Sequence, residues 1–337
     1  MRYIEKYKEA KAIMLKMIKK GYFDKFASRD IFYLFDEKSR GVSIFSERIF
    51  NESYGIQFFF GMKGINYLHD ALSSKTGFAI NHFFSETVLM AIVKKADLSL
   101  EDVDYLHRNK LRICENNLIP FAFREGYGLG YLSNKQLGIV INYLYYLMSL
   151  IDNEMTDILE NFSNSKMVLA LYDTKQFLYE VRYVNMVNFE MLPNSKPINK
   201  DVVAEYEGSV YTDDICHFLH CYLPLEKEES KPFPSILLAY YENKDSYEFE
   251  IIDCEPKQIT EYVYGFMDNC FKKKGLPTTV VLNNRQIYSM TNKTLKALNI
   301  DVQFERENEM VDSLFYDIIE EKITEEKELR ASSALVS

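Results

Sequence analysis

Hydrophobic positions near the start of the chain recur every three or four residues. Ile4, Tyr7, Ala10, Met14, Met17 and Ile18 share one face and lysines fill the other, which predicts an amphipathic helix over 2–27. Gly21 and the Ser28-Arg29-Asp30 cluster weaken or end it. The period then shortens. Ile31–Phe35, Val42–Phe50 and Gly55–Phe60 are aromatic and β-branched runs parted by polar turns, and they read as three consecutive antiparallel strands. Helical spacing returns over about Met62–Leu72, 82–95 and 100–113, the last opened by Ser99 with Asp102 three residues on, close to a capping box. The segment IPFAFREGYGLGYLSNKQ reads as an extended, turn-rich connection. Ser133 then caps a long helix to about Leu159, and strands at Met167–Tyr172 and Phe177–Asn188 follow.

The polar, proline-bearing stretch PNSKPINKDVVAEYEGS places a linker at 193–209, between a domain over 1–192 and a second over 210–330, with a disordered tail at 331–337. Residues 210–223 carry no clear period. After them the pattern predicts a hairpin (Ser235–Tyr241, a turn at Asn243-Lys244-Asp245, Tyr247–Asp253) and a helix over about Pro256–Lys273. A strand Thr278–Leu282, a helix Ser289–Leu298, a strand Asp301–Phe304 and an acidic helix Met310–Leu329 complete it. The class is α/β with α+β elements: two domains whose mixed sheets are covered by helices.

Composition narrows the function classes. The 337 residues hold 25 Tyr and 24 Phe, ample for two packed cores, and no Trp. No run approaches the apolar length of a membrane span, and the charged N-terminal helix lacks the continuous apolar stretch of a secretory signal. Cys114, Cys216, Cys221, Cys254 and Cys270 form an odd, scattered set without a CxxC pair, which suits reduced thiols in the cytoplasm. A net charge of −10 argues against a broad nucleic-acid footprint. The charge is uneven, since residues 1–30 are basic and 301–337 acidic. Either two solvated helices differ in sign, or these ends meet each other or a partner.

Candidate chemistry is sparse. In Cys216-His217-x-x-His220-Cys221, a helix would put Cys216 with His220 and His217 with Cys221, giving two zinc ligands, but no second pair lies nearby to close a site. Gly126, Gly128 and Gly130 in GYGLGY lack the preceding strand, the Lys-Ser/Thr and the spacing of a phosphate loop, so a turn needing positive φ is the better reading. His69, His82 and His107 read as surface or capping histidines, and Asp102/Asp104 and Glu320/Glu321 as solvated helix carboxylates. Arg124, between an aromatic run and the glycine turn, could tie down loop carbonyls or meet an anion. No catalytic set, cofactor or metal site emerges.

Two resemblances follow from particular residues. Gly55, Phe59, Gly61 and Gly64 in YGIQFFFGMKG, and Pro120, Phe121 and Arg124 before the glycine turn, resemble segments of an uncharacterised bacterial two-domain family. So does the second half from KPFPSILLAYYENKD to TLKALNIDVQFE. Some members of that family carry a SEC-C zinc tail, which 326–337 lacks. Separately, the order of hairpin, helix, strand, helix and strand is similar to the ribonuclease H-like fold of integrases and transposases. That resemblance implies metal-holding carboxylates on the first strand and at the end of the fourth. Here those places read Ala239-Tyr240-Tyr241 and Asn283-Asn284, and asparagine does not supply the charge a Mg²⁺ site uses. The expectation is a cytoplasmic, non-catalytic binding module. Its partner would be a protein rather than nucleic acid, with no membrane, and Arg124, Asn283, Asn284 and Glu242 are the candidate binding residues. The rivals are a metal-dependent nuclease or hydrolase using carboxylates such as Glu242, Asp253 and Glu309, and an acidic mimic of nucleic acid.

Overall fold

The computed structural model describes residues 2–36, 40–47, 54–73, 86–173, 179–185, 195–223, 231–305 and 309–334. The chain forms two compact units, the first from 1–72, 85–124 and 129–189, the second from 73–84, 125–128 and 190–337.

The first unit is an eight-stranded mixed sheet. Its strands are β1 (Ile31–Asp36), β2 (Arg40–Glu47), β3 (Tyr54–Phe60), β4 (Thr87–Lys94), β5 (Asn116–Phe123), β6 (Gly130–Tyr131), β7 (Lys166–Tyr172) and β8 (Tyr179–Asn185). They lie in the order β6-β5-β4-β3-β2-β1-β7-β8, antiparallel except for the parallel pair β1 and β7. Helices α1 (Tyr3–Lys19) and α4 (Asn134–Ser163) bury their stripes on one face, with Tyr7, Ala10, Met14 and Met17 packed among Leu137, Val140, Leu144 and Leu147. Ser133 caps α4 by accepting from the Gln136 amide, and Lys20 reaches Asp152 of α4 at 2.5 Å. Helix α2 (Gly61–Ser73) covers a smaller cluster on the other face. Helix α3 (Leu100–Arg108) opens with the Ser99–Asp102 capping box.

Three sequence expectations change here. Residues 87–94, read as helix, form β4, a strand buried along both faces. An unbroken apolar run carries no period to tell helix from strand. His69, read as a surface group, is buried and bonded to Tyr33 Oη at 3.0 Å, while His82 lies outside the described residues. Asp102 is buried too, accepting from Tyr131 Oη at 3.1 Å, whereas Asp104, Glu320 and Glu321 are exposed.

The second unit has five strands: β9 (Tyr211–Tyr222), β10 (Ser235–Tyr241), β11 (Ser246–Ile252), β12 (Leu276–Leu282) and β13 (Asp301–Phe304). Their order is β11-β10-β9-β12-β13; β9, β12 and β13 run parallel, and β10 is antiparallel to both its neighbours. Helices α6 (Ile259–Lys274) and α7 (Arg285–Ala297) pack on the face that carries Cys216, Phe218, Leu237, Ala239 and Leu282. Helix α8 (Glu309–Ala334) lays Val311, Phe315, Ile318 and Ile319 over Leu219, Cys221, Ile236 and Leu238 on the other. The stretch 193–209, expected as a linker, carries helix α5 (Lys200–Glu205), capped by Asn199, and Tyr206 is buried in this unit's core. Of the expected tail, 331–334 continue α8 and 335–337 lie outside the described residues.

Candidate functional site

Residues 210–223, which gave no period, are the central strand of the second unit. A central strand is covered on both faces, so its apolar and polar residues do not alternate cleanly. Strand geometry decides the Cys/His cluster. Cys216 and His220 share one face and His217 and Cys221 the other, but four strand residues separate each pair by about 13 Å, too far to ligate one ion. Burial raises the Cys216 and Cys221 thiols, which keeps both protonated. Among the described residues no group of three or more His, Cys, Asp or Glu is placed to hold a metal ion.

Chain connections create the unit's cleft. Helix α7 leaves β12 toward one face of the sheet, and α8 leaves β13 toward the other. Between β12 and β13 the connections therefore diverge, and the carboxyl ends of these parallel strands border an opening, the usual place for a ligand in such sheets. A shallow cleft with a cavity volume of about 10 Å³, room for about one water, lies there. Leu219, Val281 and Val311 form its apolar wall, and His217, Asn283, Glu305 and Asp312 its polar one.

His217 is buried and its Nε2 lies 3.2 Å from Oε2 of Glu242, an exposed carboxylate in the β10–β11 turn. The turn itself is fixed by Asp214, whose Oδ1 accepts from the Asn243 amide at 3.0 Å. Asn283 Oδ1 accepts from the His220 amide at 3.4 Å. Asn284 Oδ1 accepts from the amides of Gln286 (2.8 Å) and Ile287 (3.1 Å), capping α7, and its Nδ2 lies 3.4 Å from His220 Nδ1. Full burial pushes the His220 imidazole down to about 3, so the ring is neutral near pH 7 and Nδ1 can accept that amide hydrogen. The Arg285 guanidinium stands over the Phe304 ring at 5.0 Å. The lining thus offers hydrogen-bond acceptors, carboxylates and one imidazole, a set suited to holding a polar group.

Glu242 and Asn283 both meet this region through His217 and the cleft wall, and Asn284 stands just behind it as a helix cap. Arg124 belongs to the first unit, exposed just past β5. The strand Ser235–Tyr241, taken as the unit's first, is its second; β9 precedes it. The position across from the end of β12 is consequently His217 to His220, not Ala239-Tyr240-Tyr241. Glu242 and Asp253 stand at opposite ends of the β10–β11 hairpin, and the Glu309 side chain lies outside the described ones. Sequence reasoning missed Glu305 and Asp312. Asp312 sits in the first turn of α8, where a helix N-terminus favours a carboxylate, but only the topology distinguishes it from the other acids of that helix.

GYGLGY does follow a strand, β5. Its Gly126 has φ +73°, and a Cβ there would come within 2.8 Å of Pro256 Cγ and Tyr222 Cε1. The close approach this glycine permits is to protein rather than to a phosphate.

Residues 211–319, from the start of β9 into α8, match a family described as a domain of unknown function, DUF6930. No curated protein and no solved structure matches the chain.

Proposed function

We propose that this protein is a cytoplasmic, protein-binding module whose second unit is a ribonuclease H-like domain without two-metal chemistry. Counted within the unit, the strands run 3-2-1-4-5 with only the second antiparallel to the rest, which supports the fold reading. The observation that carries the functional reading is the work done by Asn283 and Asn284. At the end of the fourth strand, where a metal-holding carboxylate would stand, Asn283 holds the His220 amide and Asn284 caps α7. The match to a family without an assigned activity is compatible with this reading and adds no chemistry to it.

One observation favours the nuclease alternative: Glu305 and Asp312 line the same cleft as Asn283. Incubation of the whole chain with Mg²⁺ or Mn²⁺ and single-stranded DNA, duplex DNA or an RNA–DNA hybrid separates the two. The binding reading expects no cleavage above a metal-free control. Metal-dependent cleavage that disappears in Asp312→Asn overturns it.

A further inference from the structure

Strand β11 ends its sheet, with β10 on one side and no described strand on the other. In such an edge every second residue turns its N–H and C=O away from the sheet, ready to pair with an added strand. On the α8 side of β11, Tyr247, Phe249 and Ile251 lie opposite Tyr240, Leu238 and Ile236. The second set is buried, but the first is 46%, 39% and 42% exposed. The Tyr247 and Phe249 rings stack at 6.4 Å, and Lys322 of α8 stands 5.7 Å from the Phe249 centroid. The opposite face carries Glu248 and Glu250. Lys273 and Lys274 pair with Glu248 at 2.9 and 3.5 Å, while Glu250 is exposed and has no ion-pair partner among the described residues.

We propose that the β11 edge is a docking site for an extended polypeptide segment in which apolar residues alternate with lysine or arginine. The added strand would continue the apolar stripe on one face and set a cation against Glu250, the glutamate left without an ion pair among the described residues, on the other, since opposite charges on facing strand positions stabilise a pair and like charges oppose it. The same carboxylates disfavour a second copy of this chain. Two β11 strands paired antiparallel about a two-fold axis keep both stripes on one face only in certain registers. Every such register that overlaps at least two stripe residues sets Glu248 or Glu250 directly opposite another of these glutamates. An exposed edge of this kind invites self-association, and here the glutamates act against it while leaving a basic strand welcome.

This proposal rests on reading the protein as a binding module, and its test separates the two. Fluorescein-labelled decapeptides alternating valine with lysine, or valine with glutamate, are titrated with the whole chain at 0.15 M salt, about physiological ionic strength, and followed by anisotropy. The lysine peptide is expected to bind at least about tenfold tighter than the glutamate peptide, a difference of about 1.4 kcal/mol. Glu250→Lys should erase or reverse that preference, and hydrogen exchange should slow in the β11 amides when the lysine peptide is bound. Phe249→Asp should weaken both peptides. Failure of the lysine peptide to bind, a preference that survives Glu250→Lys, or protection confined to another element overturns the proposal. So does a concentration-dependent dimer that Phe249→Asp dissociates, which would make a second copy the occupant. Metal-dependent nucleic-acid cleavage would overturn the functional reading alone, because peptide preference at β11 does not depend on it.

Discussion

His220 shows how one residue type carries different information in sequence and in structure. In the sequence it belongs to a Cys/His cluster that invites a metal reading; in the strand it faces Asn284 from full burial, with its imidazole pushed down to about 3 against an ordinary value of 6.5. The sign of the consequence is fixed. Between these values the unfolded chain takes up a proton that the folded protein refuses, so stability is full above pH 6.5 and falls as pH drops toward 3. The loss expected from this residue approaches about 1.4 kcal/mol per pH unit. Urea unfolding of the second unit between pH 6 and 4 should therefore be steeper in pH for the wild type than for His220→Gln; equal slopes would contradict the assignment. Asn284 makes a second residue-scale test. Asn284→Ala removes the cap of α7 and should cost about 1 kcal/mol, whereas Asn284→Asp keeps the cap and loses only the 3.4 Å amide contact to His220 Nδ1, so it should cost less. Both asparagines were conspicuous in the sequence for lacking charge. What they do instead was not legible there, because a cap is defined by the backbone that follows it, and α7 begins at Arg285 rather than at Ser289.

Elements whose two faces differ were legible, and elements buried on both faces were not. The stripes of α1 and α4, the β1–β3 meander, the β10–β11 hairpin and the β13 strand all follow from period and turn chemistry. Strands β4 and β9 have neighbours on each side and cover on each face, so the sequence of β4 carries the same signal as a buried helix and that of β9 carries no clean period. Missing β9 shifted the count of strands in the second unit by one, and with it the residues compared with a nuclease. Glycines test the packing of elements in opposite directions. A Cβ on Gly64 of α2 would lie 2.9 Å from the Phe59 carbonyl carbon and 3.3 Å from the Glu86 oxygen, both backbone atoms that cannot swing away. Gly64→Ala should therefore lower the denaturant midpoint of the first unit, by about 1–3 kcal/mol in stability. Gly265, exposed in α6, has open space around its missing Cβ, and Gly265→Ala should raise the stability of the second unit by up to about 1 kcal/mol. The same substitution with opposite signs at the two sites distinguishes close packing from helix propensity.

At the scale of the whole molecule, the units do not follow the order of the chain. A boundary placed at 193–209 assumes that each unit is one continuous stretch, yet Glu125–Gly128 belong with the second unit although their neighbours in sequence belong with the first. Four bonds and contacts within that unit explain why. The Phe233 amide donates to the Gly126 carbonyl at 2.6 Å, Tyr222 Oη donates to Glu125 at 3.3 Å, Tyr127 Oη donates to Glu255 at 2.6 Å, and Gly126 packs against Pro256. None of these could be anticipated from a local window, because each joins residues about a hundred positions apart. They also mean that a fragment cut to the family boundaries, or even to 195–334, lacks part of its own unit. Such a fragment should unfold at lower denaturant than the second unit does in the intact chain. In the intact chain, Tyr127→Phe and Glu255→Ala should each cost about 1.5–3 kcal/mol, the range for a hydrogen bond to a charged group. Because both remove the same bond, the double variant should cost little more than either single one, a coupling that a double-mutant cycle reads directly. Glu255→Ala in the fragment, where Tyr127 is absent, should cost clearly less than in the intact chain. Additive losses in the intact chain, or an equal loss in the fragment, would mean that Glu255 acts through the turn before α6 and that the 125–128 segment contributes nothing through it.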